Sequence, residues 1–179
     1  MNENLMEKAI YDLLKAMGED PNREGLKDTP KRVAKMYSEI LSYPNFNYTT
    51  FEDKYDDLIM VKNIEFCSMC EHHLMPFYGI AHIAYIPNKK IIGLSKIARV
   101  VEKFSKKLQV QERMTEEIIE DLKKNLGTDN IAVFIEAKHM CMISRGVKKE
   151  LTSTVTTKFS GSFKNERKSE FLFLLGKGN

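Results

Sequence analysis

Apolar residues recur along this chain in two rhythms, and the switches between them mark its elements. Leu5, Met6, Ala9, Ile10, Leu13, Leu14 and Met17 fall at three- and four-residue steps. That spacing predicts an amphipathic helix over residues 3–17, stopped at Gly18. A polar turn with Pro21 and Gly25 follows. Thr29 as a cap and Pro30 behind it open a second helix, with Val33, Met36, Tyr37, Ile40 and Leu41 on its apolar face and Pro44 beyond its end. The pair reads as a packing or assembly element, in which Arg32 is the residue to follow toward function. Residues 45–57 carry Phe46, Tyr48, Phe51 and Tyr55 without a period and read as a loop.

From Leu58 the rhythm shortens. Leu58–Phe66 and Phe77–Ile86 are rich in β-branched and aromatic residues and read as strands. The second is apolar on both faces, so it needs cover on both sides, from helices or from another subunit. His82 within it reads as a structural or interface histidine. A helical period then returns at Ile97, Val100, Val101, Phe104 and Leu108, with Ser95 as its cap. Lys96 and Arg99 lie off that stripe, near a helix start whose free N–H groups and dipole favour an anion.

A fourth helix spans about Val110 to Leu126 around Met114, Ile118 and Leu122, with Gly127 at its end. Gln111 falls on its buried side and needs partners, either a core hydrogen bond or a polar ligand. Ile131–Ala137 and Thr152–Phe163 read as further strands, the latter with Ser153, Val155, Thr157 and Phe159 on one face. The apolar tail Ser169–Leu175 is expected to dock around Glu170. From residue 58 the order is strand, strand, helix, helix, strand, strand, an α+β pattern. The expected organisation is an N-terminal helical region and loop over 1–57 and a catalytic region over 58–179, together one structural domain.

Composition narrows the function classes. With 42% hydrophobic and 30% charged residues, the chain has enough apolar material for a real core. A net charge of +3, spread over scattered lysines, is too mild to argue for nucleic acid, and none is expected as a partner. No apolar run is long enough to cross a membrane, and Met1-Asn2-Glu3-Asn4 does not read as a signal peptide. Three cysteines form no disulfide framework, so a reducing cytoplasm is expected, where clustered Cys and His suggest a metal or catalysis.

The candidate chemistry is concentrated in Cys67-Ser68-Met69-Cys70-Glu71-His72-His73, with Cys141 far downstream beside His139. Cys67, Cys70, His73 and Cys141 would make a closed Cys3His zinc site; Cys70, His73 and Cys141 alone would make an open one. Cys67 and Cys70 also form a C-x-x-C pair, which allows a redox reading. Surplus proton-transfer groups, His72 and His139, favour the open site, where a metal brings the pKa of bound water to roughly 7. Lys96, Arg99 and Arg145 would suit a phosphorylated substrate. Hydrolysis of a nucleotide is where these features converge.

Four motifs then stand in one order: Cys70-Glu71-His72-His73, Gly93-Leu94-Ser95-Lys96-Ile97-Ala98-Arg99, Gln109-Val110-Gln111-Glu112-Arg113, and His139-Met140-Cys141 with Arg145-Gly146-Val147. Together they resemble GTP cyclohydrolase I, the zinc-dependent family that opens pterin biosynthesis, and the similarity runs from about Leu5 to Leu175. The resemblance implies a tunnelling fold (T-fold) in a homodecamer of two pentamers. It also implies conversion of GTP and water to formate and 7,8-dihydroneopterin triphosphate. Carried over by motif, Cys70, His73 and Cys141 would hold Zn2+, and His72 and His139 would be the acid/base pair. Glu112, assisted by Gln111, would anchor guanine, and Ser95 would lie near the ribose. Lys96, Arg99, Arg145 and Arg32 would hold the triphosphate, Arg32 from a neighbouring subunit. Cys67 departs from the family pattern, which leaves a fourth thiol ligand or a Cys67–Cys70 disulfide open.

Overall fold

The computed structural model describes residues 1–42 and 45–176, so the expected stop at Pro44 lies outside the described residues. The chain forms two compact units, Met1–Ser42 and Tyr43–Asn179.

The first unit is a helical pair, α1 (Glu3–Ala16) and α2 (Thr29–Ile40). The Asn2 side chain caps α1 by accepting from the Leu5 N–H at 3.1 Å. No residue of α1 is buried, and Leu5, Leu13 and Met17 of its apolar stripe are exposed. The start of α2 differs from the expectation. Asp28 takes the cap position without a side-chain bond, and Thr29 is already helical. Pro30 in the first turn costs nothing there, because its missing N–H has no helical partner to lose.

The second unit is built on a five-stranded sheet in the order β5-β2-β3-β6-β7. Residues 45–57 are not all loop: β1 (Thr50–Glu52) pairs antiparallel with β4 (Lys90–Ile92). β2 (Ile59–Cys70) and β3 (Met75–Tyr85) form a hairpin whose register runs from Ile59 opposite Tyr85 to Cys70 opposite Met75. The first predicted strand therefore continues past Phe66 through the Cys67–Cys70 segment. A bulge at residues 61–64 places Asn63 at φ 58°, with its N–H directed to Nδ1 of the buried His82 at 3.4 Å. His82 is thus structural, as expected.

Two helices follow, α3 (Leu94–Ser105) and α4 (Gln111–Leu126), separated by β5 (Leu108–Gln109). Ser95 is not the cap of α3. Gly93 is, and Ser95 is the second helical residue. Next come β6 (Ile131–His139), the short α5 (Met140–Ile143), β7 (Thr154–Phe159), a 3-10 turn and α6 (Lys168–Leu175). β7 is shorter than expected.

The alternation of side chains along β3 and β6 gives the sheet two dry faces. Ile83, Tyr85, Val133 and Ile135 pack against Ile97, Val101, Ile118 and Leu122 of α3 and α4. On the other face Ala84, Ala132 and Phe134 meet Phe163 and Phe171, so the tail docks as expected. The two-faced strand is covered from within the chain. The result is the α+β layout expected of a T-fold: a mainly antiparallel sheet with a helical pair between its strand pairs.

Candidate metal centre and active site

Cys70 is the last residue of β2 and is buried. The chain then turns tightly, with the Leu74 N–H donating to Cys70 O at 2.9 Å and Leu74 at φ 51°. This turn brings His73 back toward Cys70, so that Nδ1 lies 3.8 Å from Sγ. The third member comes from the other side of the hairpin. β3 pairs with β6 so that Phe77 lies opposite His139, which sets the end of β6 beside the hairpin tip. Cys141 follows in α5, and the ligand atoms of Cys70, His73 and Cys141 all lie within 4.8 Å of one another.

Cys67 is outside this cluster. It lines a separate cavity of about 310 Å³ with Arg99, Glu102 and Lys106, and all three cysteines are free. Three positions along a strand reverse the side-chain direction, which places Cys67 and Cys70 on opposite faces. The closed Cys3His arrangement and the Cys67–Cys70 disulfide are therefore not what the fold assembles. Among the described residues, the group that could hold a metal ion is Cys70, His73 and Cys141.

β5 runs parallel to β2, with Gln109 beside Cys70, and so delivers the start of α4 to the metal cluster. The shared cleft has a volume of about 220 Å³ and is lined by His72, Gln111, Glu112, His139 and Thr154 as well as Cys70, His73 and Cys141. His72 is largely exposed at the mouth, 3.8 Å from Glu71. His139 is half-buried and stacks on Phe77, with centroids 4.8 Å apart and planes 1° from parallel. Burial pushes its pKa below the ordinary histidine value, and the Glu112 carboxylate opposes that shift. Burial, then the neighbouring Cys70 thiol, push the Cys141 pKa up, while the Arg145 guanidinium draws it down. Arg145 is thus an exposed cation at the cluster's edge.

The anion-binding candidates divide. Ser95, Lys96 and Arg99 sit on the first turns of α3, and none of them lines the cleft. Arg99 is exposed and opens onto the Cys67 cavity instead. Arg32, on α2 of the N-terminal unit, is exposed and pairs with Asp28 at 3.6 Å.

Sequence reasoning passed over several groups that shape the site. Glu71 and Arg113 form a bidentate pair at 2.6 and 2.9 Å, tying the Cys70–His73 turn to α4. The Arg113 hydrogen bond holds the Glu71 carboxyl below the usual carboxylate range. Both residues stand within quoted motifs, so their opposite charges were the available signal. Thr115 and Thr156, which support Gln111, carry no signal of that kind. Gln111 itself is buried, and its side chain makes core hydrogen bonds.

The family model described as GTP cyclohydrolase I matches residues 6–175. GTP cyclohydrolase 1 of Sulfurihydrogenibium sp. (strain YO3AOP1) is 54% identical over 179 residues, 98% of this chain and 96% of that protein. GTP cyclohydrolase 1 of Streptococcus agalactiae serotype V is 52% identical over 185 residues, 99% of each. The Bacillus subtilis (strain 168) protein of the same name is 50% identical over 172 residues, 93% of this chain and 90% of that one. Among solved structures, the archaeosine synthase QueF-Like in the apo form aligns with a TM-score of 0.49 at 13% identity, covering 58% of this chain and 93% of that one.

Proposed function

This chain belongs to the GTP cyclohydrolase I family of hydrolases, and from that premise we propose that it converts GTP and water to formate and 7,8-dihydroneopterin triphosphate in the cytoplasm, as the first step of pterin biosynthesis. The observation that carries this reading is the Cys70, His73 and Cys141 cluster opening onto a cleft lined by His72, His139 and Glu112.

Two thiols and one imidazole from three backbone positions fit a catalytic zinc site, which keeps one coordination position open. Cys70, His73 and Cys141 would hold Zn2+, which when bound supplies Lewis acidity and lets water react at neutral pH.

The chain's own residues then divide the remaining work. Glu112, exposed at the start of α4, accepts from the N1–H and 2-amino group of guanine, a donor pair that adenine does not present. Gln111 stands on the same turn, with its side chain buried in the inner wall of the cleft beside His139. His72 at the mouth and His139 at the inner wall move protons to and from the opening imidazole ring and the sugar oxygen. Ser95 lies near the ribose as it rearranges. Arg145 meets the triphosphate from the cluster's edge, joined by Lys96 and Arg99 and by Arg32 of a neighbouring subunit.

The lining of this cleft, which holds no residue of α3, supports an oligomeric reading. Ser95, Lys96 and Arg99 do not line the cleft that carries the other groups, so a second copy of the chain brings them to it. A homodecamer of two pentamers would provide such contacts around a ring.

The test is incubation of the zinc-loaded protein with GTP, following formate and, after mild oxidation, a fluorescent pterin. Both products should form, and both should vanish in His72→Ala and Cys141→Ala. Neither product from zinc-loaded, intact protein would overturn the proposal.

A further inference from the structure

The buried wall of the cleft holds a run of hydrogen bonds that has only one self-consistent direction. Gln111 is 1% exposed. Its Nε2 lies 3.1 Å from Ile135 O, 3.0 Å from Thr154 O and 3.1 Å from Thr156 Oγ1. Two of these partners are backbone carbonyls, which can only accept, so the NH2 end of the amide must be the end that faces them. Turning the amide over would set its oxygen against two carbonyl oxygens, neither of which can donate to it.

Gln111 Oε1 therefore faces His139 Nε2, at 2.8 Å. An amide oxygen can only accept, so Nε2 carries a hydrogen. The threonines agree. Thr115 Oγ1 donates to Gln111 O at 2.8 Å, which leaves Thr156 as the donor in the 2.7 Å contact between the two hydroxyls. Thr156 Oγ1 is then free to accept from Gln111. The parallel stack on Phe77 sets the plane of the imidazole, and the Gln111 amide sets which edge of it points inward.

We propose that Gln111 is a positioning residue for His139, holding the ring with Nε2–H donated into the protein so that Nδ1 is the nitrogen presented to substrate in the cleft. Nδ1 has no hydrogen-bond partner among the described residues. The assignment rests on the reaction proposed above. It also gives the Gln111 side chain a task other than guanine, and leaves the base edge to Glu112.

The chain has four histidines, so protein grown with ring-15N histidine gives a solid-state NMR spectrum of four imidazoles. The His139 signals are those missing in His139→Gln. In the zinc-loaded protein without GTP, His139 should show a protonated Nε2 and a bare Nδ1. Gln111→Met, similar in length and unable to accept, should admit the opposite tautomer. Its kcat should fall by roughly 10²-fold or more, the scale of a misplaced general acid or base. Its KM for GTP and its preference for GTP over ITP should stay unchanged. Thr156→Val should loosen the tautomer in the same direction, and Thr156→Ser should retain it.

An unaltered protein with its hydrogen on Nδ1 would overturn the proposal. So would a Gln111→Met enzyme that keeps kcat and raises KM, the behaviour of a guanine contact. Absence of formate from the unaltered protein would strike the reaction instead, because the ring spectrum is read with no GTP present.

Discussion

At the scale of single residues, the two cysteines of the C-x-x-C pair have opposite fates. Cys70 is buried at the hairpin tip within the three-ligand cluster, and Cys67 faces another cavity. Cys67→Ser should therefore retain full zinc content by elemental analysis and full formate release. Cys141→Ala and His73→Ala should each lose the metal and the activity together, because two remaining ligands hold zinc poorly. A chelator should remove zinc and activity while leaving the far-ultraviolet circular dichroism unchanged. The apolar core stands on α3, α4 and the sheet, with Cys70 and Cys141 at its edge. Loss of helical signal on chelation would show instead that the metal holds the fold.

At the scale of elements, the β3–β6 pairing does the assembly. It sets Phe77 against His139 and carries Cys141 to the hairpin tip. Gly79 lies opposite Ala137 in that pairing, where an added Cβ would come within 2.0 Å of Glu136 O and 2.6 Å of Ala137 Cα. Backbone cannot give way as a flexible side chain can. Gly79→Ala should cost roughly 1–3 kcal/mol or more by overpacking, read from urea unfolding. It should also lower activity by shifting His139 along its strand. Ile118, fully buried between α4 and the sheet, tests the helix side: Ile118→Ala should cost about 2–5 kcal/mol through the cavity it leaves, with zinc still bound. The period of the helices and strands is legible in the sequence, because it reports on a local rhythm of exposure. Their ends are less so. Ser95 and Thr29 both have good capping chemistry, yet Gly93 and Asp28 hold those positions, since the packing of each helix sets where its first turn begins.

At the scale of the whole molecule, the groups expected to act on one nucleotide divide between the metal cleft and the α3 surface. If a second copy completes each site, two inactive variants should rescue one another. Co-expressed Arg99→Ala and Cys141→Ala should regain formate release, since mixed assemblies contain some sites with both halves intact. Each variant alone should stay inactive while keeping its oligomeric state by light scattering. No regained activity in verified mixed assemblies would mean that one chain carries a complete site.

The sequence by itself determined the candidate donor residues, the order of the longer helices and strands and the family, because donors packed into Cys70–His73 and motifs kept in register are properties of the chain read locally; the short strands β1, β4 and β5 exist only through their pairing. It left the partner of Cys70 open between Cys67, three residues away, and Cys141, far downstream. Only the tertiary structure decided that, along with the direction of the Gln111–His139 hydrogen bond and the division of the anion-binding residues. The physical reason is the same in each case. Distances between residues far apart in the chain are set by strand register and by which backbone carbonyls a buried amide meets, and neither is encoded in the residues at the site alone.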